Sequence, residues 1–107
     1  IQIEDTEGIK NLPDMLKNVP GIGVVLIGEG DLGQELGFPR QYDHPALLEC
    51  IAEVVAVCTE HDVIVGHPHA NAGNMQRILD EGFRFVMSGP TRNFSGLEKG
   101  LELTGRD

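Results

Sequence analysis

The continuous apolar run at residues 23–27 constrains the fold most, because a strand without polar alternation is typical of burial on both faces. Three further apolar segments, at 1–3, 63–65 and 83–87, are also predicted as strands, and segments with helical spacing separate them. The pattern therefore predicts an α/β fold with four βα units around a parallel sheet.

The spacing of apolar residues predicts the helices between these strands. The first is expected at 9–19, with Pro13 in its first turn because proline disrupts a helix interior. A longer helix is expected to begin at His44, which proline follows. The next is expected to stop at Gly82 with a left-handed residue, and a closing helix is expected at 94–103.

The length of 107 residues allows at most one domain. A (β/α)8 barrel usually takes about 250 residues, so four βα units would form half of one. The chain begins at Ile1 without a methionine and inside a strand, which favours a partial domain covering 1–107. A small doubly wound sheet and a processed small domain are the alternatives.

Composition excludes several classes of protein. The net charge of −9 argues against nucleic-acid and anionic-membrane partners. No apolar run approaches the roughly 20 residues that span a bilayer, and no secretory signal is visible. Cys50 and Cys58 share one predicted helix at a separation of about 12 Å, too far for a disulfide. Free thiols fit a reducing cytoplasm.

Carboxylates and glycines follow the first two strands, where chemistry gathers in parallel folds. Glu4 and Asp31 are expected within reach of one divalent cation, since two carboxylates with open positions suit such an ion. The alternative is that Asp31 caps a short helix. Gly28 and Gly30 have no Cβ and would let a carboxylate or phosphate approach the backbone N–H groups.

Histidines follow the third strand. We expect His67 and His69 to point to opposite faces of an extended segment, which argues against a zinc site. Either could line a substrate pocket, and the alternative is a pair of hydrogen-bonded turn histidines. Glu29 and Arg92 could recognise a charged end of a substrate. Solvated loop charges are the plainer interpretation, and we prefer it for Glu29.

Several of these motifs together resemble the HpcH/HpaI aldolase/citrate lyase family. The likeness is greatest to its metal-dependent pyruvate aldolases, such as the 4-hydroxy-2-oxoheptanedioate and 2-dehydro-3-deoxyglucarate aldolases. The motifs that carry it are Gln2-Ile3-Glu4, Gly28-Glu29-Gly30-Asp31-Leu32, Leu36-Gly37-Phe38-Pro39, His44-Pro45, and the stretch from Glu81-Gly82-Phe83 to Ser88-Gly89.

The resemblance implies a TIM (β/α)8 barrel of which this chain is the second half, strands five to eight. It places Glu4 and Asp31 on metal-binding carboxylates for Mg²⁺ or Mn²⁺, with Co²⁺ as an alternative. It places Gln2 on a substrate-contacting glutamine and Gly30 on the residue whose amide binds the pyruvate carboxylate, and Asp31 is expected to contribute to substrate binding as well. Gly28, Glu29 and His67 are further pocket candidates.

The implied function is that of an aldolase that joins pyruvate, as its enolate, to an aldehyde or reverses that reaction. A non-catalytic half-barrel and a related 2-oxo acid decarboxylase or lyase are the alternatives. Glu29 stands where the family usually has proline, which leaves substrate choice open. The family's general-base histidine and enolate-stabilising arginine come from the first half of the barrel, so no catalytic residue is assigned here.

An isolated half-barrel would leave sheet edges and apolar faces uncovered. We therefore expect the chain to associate with the missing N-terminal half or with further copies of itself. The free thiols lead us to expect a cytoplasmic protein.

Overall fold

Helices and parallel strands succeed one another along the chain in the computed structural model, which describes residues 1–88 and 94–106. The strands lie in the order β1-β2-β3-β4 in one sheet, and each neighbouring pair is parallel. Their bounds are β1 (Gln2–Ile3), β2 (Val24–Ile27), β3 (Ile64–Ala70) and β4 (Phe85–Ser88). The helices are α1 (Thr6–Asn18), α2 (Glu29–Glu35), α3 (Pro45–Glu60), α4 (Met75–Asp80) and α5 (Ser95–Thr104).

The register of the sheet aligns the strand ends. Gln2 pairs with Leu26, Leu26 pairs with Gly66, and Gly66 pairs with Phe85. Because all strands run in the same direction, the segments that follow them emerge at one edge of the sheet. The residues after β1, β2 and β3 therefore meet there.

Helices cover one face of this sheet. Side chains alternate between faces along a strand, so every second strand residue points towards the helices. The buried residues of this layer include Ile3, Leu12, Val25, Ile27, Leu47, Val54, Val65 and Ile78. They form the hydrophobic core.

The other face of the sheet carries exposed apolar side chains. Ile64, Phe85 and Met87 are 47%, 45% and 45% exposed, and Val24 and Leu26 are partly buried. The described strands are therefore not buried on both faces, which agrees with the expectation that four βα units alone leave an apolar face of the sheet uncovered. The helices reach only one side, so the alternating apolar residues on the other side stay open to solvent.

The position predicted for Pro13 is wrong. α1 begins at Thr6, because Asp5 caps it by accepting a hydrogen bond of 2.6 Å from the Gly8 N–H. Pro13 consequently lies in the interior of the helix. The buried side chains of Ile9 and Leu12 stabilise the helix there although proline supplies no N–H.

The third strand is longer than its apolar run predicts. It continues past residue 65 to Ala70, through Pro68, and its register against β4 shifts between His67 and Ala70. Proline is tolerated in a strand at such an irregularity. His67 and His69 therefore lie in the strand and not in a turn after it.

The helix that follows His44 is confirmed. The His44 Nδ1 accepts a hydrogen bond of 3.2 Å from the Ala46 N–H, and Pro45 occupies the first helical turn. Cys50 and Cys58 both lie in α3, and both are free thiols. Across the part of the chain that the structure describes, no helix has the length and apolarity to cross a membrane.

The predicted left-handed backbone at the end of α4 can be tested by a substitution at Gly82. It has φ of +101°, and an added Cβ would meet only the Val55 Cγ1 at 3.6 Å. Replacing Gly82 with alanine should lower the free energy of unfolding by about 1–2 kcal/mol, because the left-handed backbone disfavours a Cβ. Gly23→Ala, where a Cβ would meet nothing within 4 Å, is the control and should change it by less than about 0.5 kcal/mol. Equal losses in urea titrations of the two variants would contradict the assignment.

Candidate functional site

The ends of β1 and β2 bring Gln2, Glu4 and Gly28 together. The Gly28 N–H donates a hydrogen bond of 2.7 Å to the Ile3 carbonyl, which continues the pairing of the two strands. The Gln2 side-chain amide donates a hydrogen bond of 2.7 Å to the Glu4 Oε2. Glu4 and Gln2 are both exposed, so one carboxylate oxygen is oriented while the group remains open to ligands.

Gly28 is required by the close approach of Glu4. A Cβ at this position would lie 2.5 Å from the Glu4 Cβ and 2.9 Å from the Gln2 Nε2. Both distances are shorter than a real Cβ contact allows. Any side chain at residue 28 would therefore displace the Glu4 carboxylate.

Asp31 lies in the first turn of α2, which starts immediately after β2. The N-cap residue of this helix is Gly28, so Asp31 is inside the helix and does not cap it. Asp31 is exposed. A Cβ at Gly30 would meet only the Tyr42 hydroxyl, at 4.0 Å, which leaves space beside this part of the backbone.

Glu35 connects the two segments that carry Glu4 and Asp31. Its carboxylate accepts hydrogen bonds of 2.7 Å from the Thr6 N–H and 2.9 Å from the Thr6 hydroxyl. The start of α1 is thereby held against the end of α2. No local pattern in the sequence indicates this pair, because its two members are 29 residues apart in the chain.

The donor set of this edge fits a hard divalent cation. Glu4 and Asp31 offer carboxylate oxygens, and an ion such as Mg²⁺ binds few protein groups while it keeps several waters. Within residues 1–88 and 94–106, no three His, Cys, Asp or Glu side chains are grouped so that they could hold a metal ion. An all-protein zinc cage is thus not formed by the described residues.

A second polar group lies beside this edge, and we term Glu29, His67 and His69 the Glu29 cluster. The Glu29 Oε1 lies 2.5 Å from the His69 Nδ1, and the Glu29 Oε2 lies 3.7 Å from the His67 Nε2. Glu29 and His67 are buried, whereas the side chain of His69 is 56% exposed. One carboxylate from the start of α2 therefore contacts two imidazoles from β3.

The proton position on His67 follows from its contacts. The backbone N–H of His69 donates a hydrogen bond of 3.1 Å to the His67 Nδ1. The neutral ring of His67 therefore carries its proton on Nε2, which faces Glu29. The edge of the ring packs on Phe83 with centroids 5.0 Å apart. Burial lowers the pKa of His67, and the charge of Glu29 opposes this only in part.

Two expectations for these residues are wrong. His67 and His69 contact the same carboxylate and do not point to opposite faces, because residues two apart in a strand share a face. Glu29 is 6% exposed and is not a solvated loop charge. The two histidines are two residues apart, and side chains at that spacing lie on the same face of a strand. This spacing is therefore the signal that could have indicated a common contact for both imidazoles. Arg92 lies outside the described residues.

The Glu29 cluster borders a cavity of about 420 Å³ on the helix-covered side of the sheet. Tyr42, Asn74 and Arg77 contribute to its wall together with Glu29, His67 and His69. Gln2, Glu4 and Gly28 do not belong to this wall. The two polar groups therefore lie on different sides of the sheet edge.

The same arrangement of strands and helices occurs in known aldolases. An HpcH/HpaI aldolase from Desulfitobacterium hafniense superposes with a TM-score of 0.74 and 26% identity, covering 97% of this chain and 39% of that one. The family model of HpcH/HpaI aldolase/citrate lyase matches residues 1–93. The chain belongs to this family. The expected fold class, four βα units of a TIM-like barrel, is confirmed with it.

Curated relatives in the HpcH/HpaI family are aldolases. A 4-hydroxy-2-oxo-heptane-1,7-dioate aldolase from Escherichia coli is 34% identical over 89 residues, which are 83% of this chain and 34% of the relative. A hydroxypyruvate/pyruvate aldolase from Roseobacter denitrificans is 33% identical over 86 residues, 80% of this chain and 33% of the relative. The chain thus spans about a third of the length of these relatives.

The buried imidazole of His67 predicts a dependence of stability on pH. Its pKa is lower in the folded chain than in the unfolded chain, so the unfolded state binds more protons as the pH falls below about 6.5. The free energy of unfolding should therefore decrease below that pH. The charged or titratable groups that act on it are Glu29, His69, Arg77 and Glu81.

Urea titrations at pH 8, 7, 6 and 5 would measure this decrease. It should be smaller in His67→Gln, whereas His61→Gln, at the C-terminal end of α3, should keep the wild-type profile. Parallel profiles for wild type and His67→Gln would show that burial of His67 does not control the pH dependence.

Proposed function

We propose that the protein carrying this chain is a divalent-metal-dependent aldolase that forms or cleaves 4-hydroxy-2-oxo acids, with pyruvate as the enolate partner. The observation that carries the proposal is the packing of Glu4 against Gly28, at the edge of the sheet from which Asp31 also emerges. Two relatives whose names are those of a 4-hydroxy-2-oxo acid aldolase and a pyruvate aldolase support it.

In this proposal Glu4 and Asp31 hold the cation, with Mg²⁺ or Mn²⁺ favoured by their oxygen ligands and Co²⁺ as an alternative. A bound divalent cation supplies a Lewis acid that stabilises negative charge on the ketone oxygen of pyruvate. The Gln2 amide fixes the rotamer of Glu4 through the 2.7 Å hydrogen bond and presents its remaining polar atoms to the substrate.

Gly30 binds the other end of the pyruvate unit. Its backbone N–H lies in the first turn of α2 beside Asp31, and a Cβ added at this residue would meet only the Tyr42 hydroxyl, at 4.0 Å. The Gly30 N–H would hold the pyruvate carboxylate beside the cation that Glu4 and Asp31 would bind. We assign no general base to this chain. We also propose that residues 1–107 are a single partial domain, the second half of the barrel, and that the protein is cytoplasmic.

Substitution of Asp31 tests the reaction. The methyl protons of pyruvate should exchange with D₂O in the presence of Mn²⁺ and the full-length protein that carries this chain, as followed by proton NMR, and a chelator should stop the exchange. Asp31→Asn removes a proposed ligand and should slow the exchange by about 100-fold or more, since loss of outer-shell partners alone typically costs 10–100-fold.

The matched control is Asp14→Asn, an exposed carboxylate of α1. It should exchange pyruvate at the wild-type rate. Exchange that survives in Asp31→Asn would contradict the ligand set, and absence of exchange in the wild type would contradict pyruvate chemistry. Turnover of oxaloacetate without aldol products would favour a decarboxylase.

The uncovered face of the sheet also predicts association. The side chains of Phe85 and Met87 are exposed on the open face of the sheet, and Ile64 at the start of β3 is also exposed. Further βα units or copies of the chain would bury these side chains, with a gain of about 25 cal/mol per Å² of apolar surface. The 107-residue chain alone should sediment above its mass of 11.6 kDa.

Phe85→Ser combined with Met87→Ser should reduce this association. Val19→Ser removes a similarly exposed apolar side chain at the end of α1 and should leave the sedimentation unchanged. A wild-type chain that sediments as a monomer would contradict the role assigned to this face.

A further inference from the structure

Glu29 lies between residues of the proposed site, but its side chain points away from them. Gly28, before it, packs against Glu4 on the uncovered side of the sheet edge. Gly30 and Asp31 follow it in the first turn of α2. The Glu29 carboxylate instead contacts His67 and His69 beside the helix-covered cavity.

This contact restrains the first turn of α2. The N-cap residue Gly28 has no side chain to accept a hydrogen bond from the turn, so the usual capping interaction is missing. The turn is joined to β3 through the Glu29 Oε1 contact with His69 and the longer Oε2 contact with His67. A carboxylate that is 6% exposed requires such partners, because an unpaired charge is strongly disfavoured when buried.

We propose that Glu29 is a positioning residue: held by His67 and His69, it fixes the first turn of α2 so that the Gly30 N–H and the Asp31 carboxylate keep the geometry that cation and pyruvate binding need. The inference rests on the proposed function for the role of Gly30 and Asp31. The restraint itself is independent of the reaction, because it follows from contacts among the Glu29 cluster.

The test uses the full-length protein that carries this sequence and two measurements. The Kd for Mn²⁺, from electron paramagnetic resonance titrations without substrate, reports the proposed ligands. Hydrogen exchange of the Leu32 amide, which donates to the Gly28 carbonyl at 3.0 Å, reports the first turn of α2 without any metal. Glu29→Gln and His69→Ala should each raise the Kd about tenfold and speed up the Leu32 exchange.

A rescue variant separates the hydrogen bond from packing. In His69→Asn the side-chain amide nitrogen takes the place of the Nδ1 that contacts Glu29, so both measurements should return towards the wild-type values. His69 is 56% exposed, so its variants are expected to fold even if Glu29→Gln does not. Glu60→Gln, an exposed carboxylate in α3, and His61→Gln are the controls and should change neither measurement.

The outcomes distinguish the two proposals. If the hydrogen exchange rate of the Leu32 amide is unchanged in folded His69→Ala or Glu29→Gln, the positioning role is overturned, whatever the Kd for Mn²⁺ is. Faster exchange with an unchanged Kd also overturns it, since the restraint would then not reach Asp31. A wild-type protein that binds no Mn²⁺ overturns the proposed function, while the Leu32 exchange still decides whether the Glu29 cluster restrains α2.

Discussion

Parallel pairing of strands that are neighbours in sequence is the constraint on which the rest of this structure depends. With Gln2 opposite Leu26 and Leu26 opposite Gly66, every strand delivers its following segment to the same edge of the sheet. Polar groups that are distant in the chain therefore meet without a dedicated binding domain. The helices, packed on one side, leave that edge accessible while their buried apolar side chains stabilise the sheet below it.

Two consecutive residues, Gly28 and Glu29, face different surroundings at this edge of the sheet. Gly28 faces Glu4 so closely that no side chain fits, whereas Glu29 contacts the histidines on the side that the helices cover. The uncovered side keeps the exposed carboxylate of Glu4, which suits the binding of a hydrated cation. The covered side keeps a buried carboxylate between imidazoles. Positions 28 and 29 therefore face different surroundings, although the two residues are adjacent in the chain.

The sequence predicted the parts of the fold that local patterns determine. The order of strands and helices, the start of the helix after His44 and the left-handed Gly82 follow from periodicity and single-residue conformational preferences. The position of Pro13 was misjudged because the cap at Asp5 and the burial of Ile9 outweigh a local preference. For the candidate site, Glu4, Gly28 and Asp31 were expected at one edge, and pairs such as Glu35 with Thr6 were not, because they join distant segments.

Glu29 shows why charge in a loop is hard to interpret from sequence alone. In a solvated loop a glutamate is unremarkable, and nothing adjacent to it in the chain suggests a partner. Here its partners lie about 40 residues away, at His67 and His69, and only the extension of β3 through Pro68 brings both to the end of β2. The irregular register of β3, between His67 and Ala70, therefore lies in the segment that supplies both partners of this carboxylate.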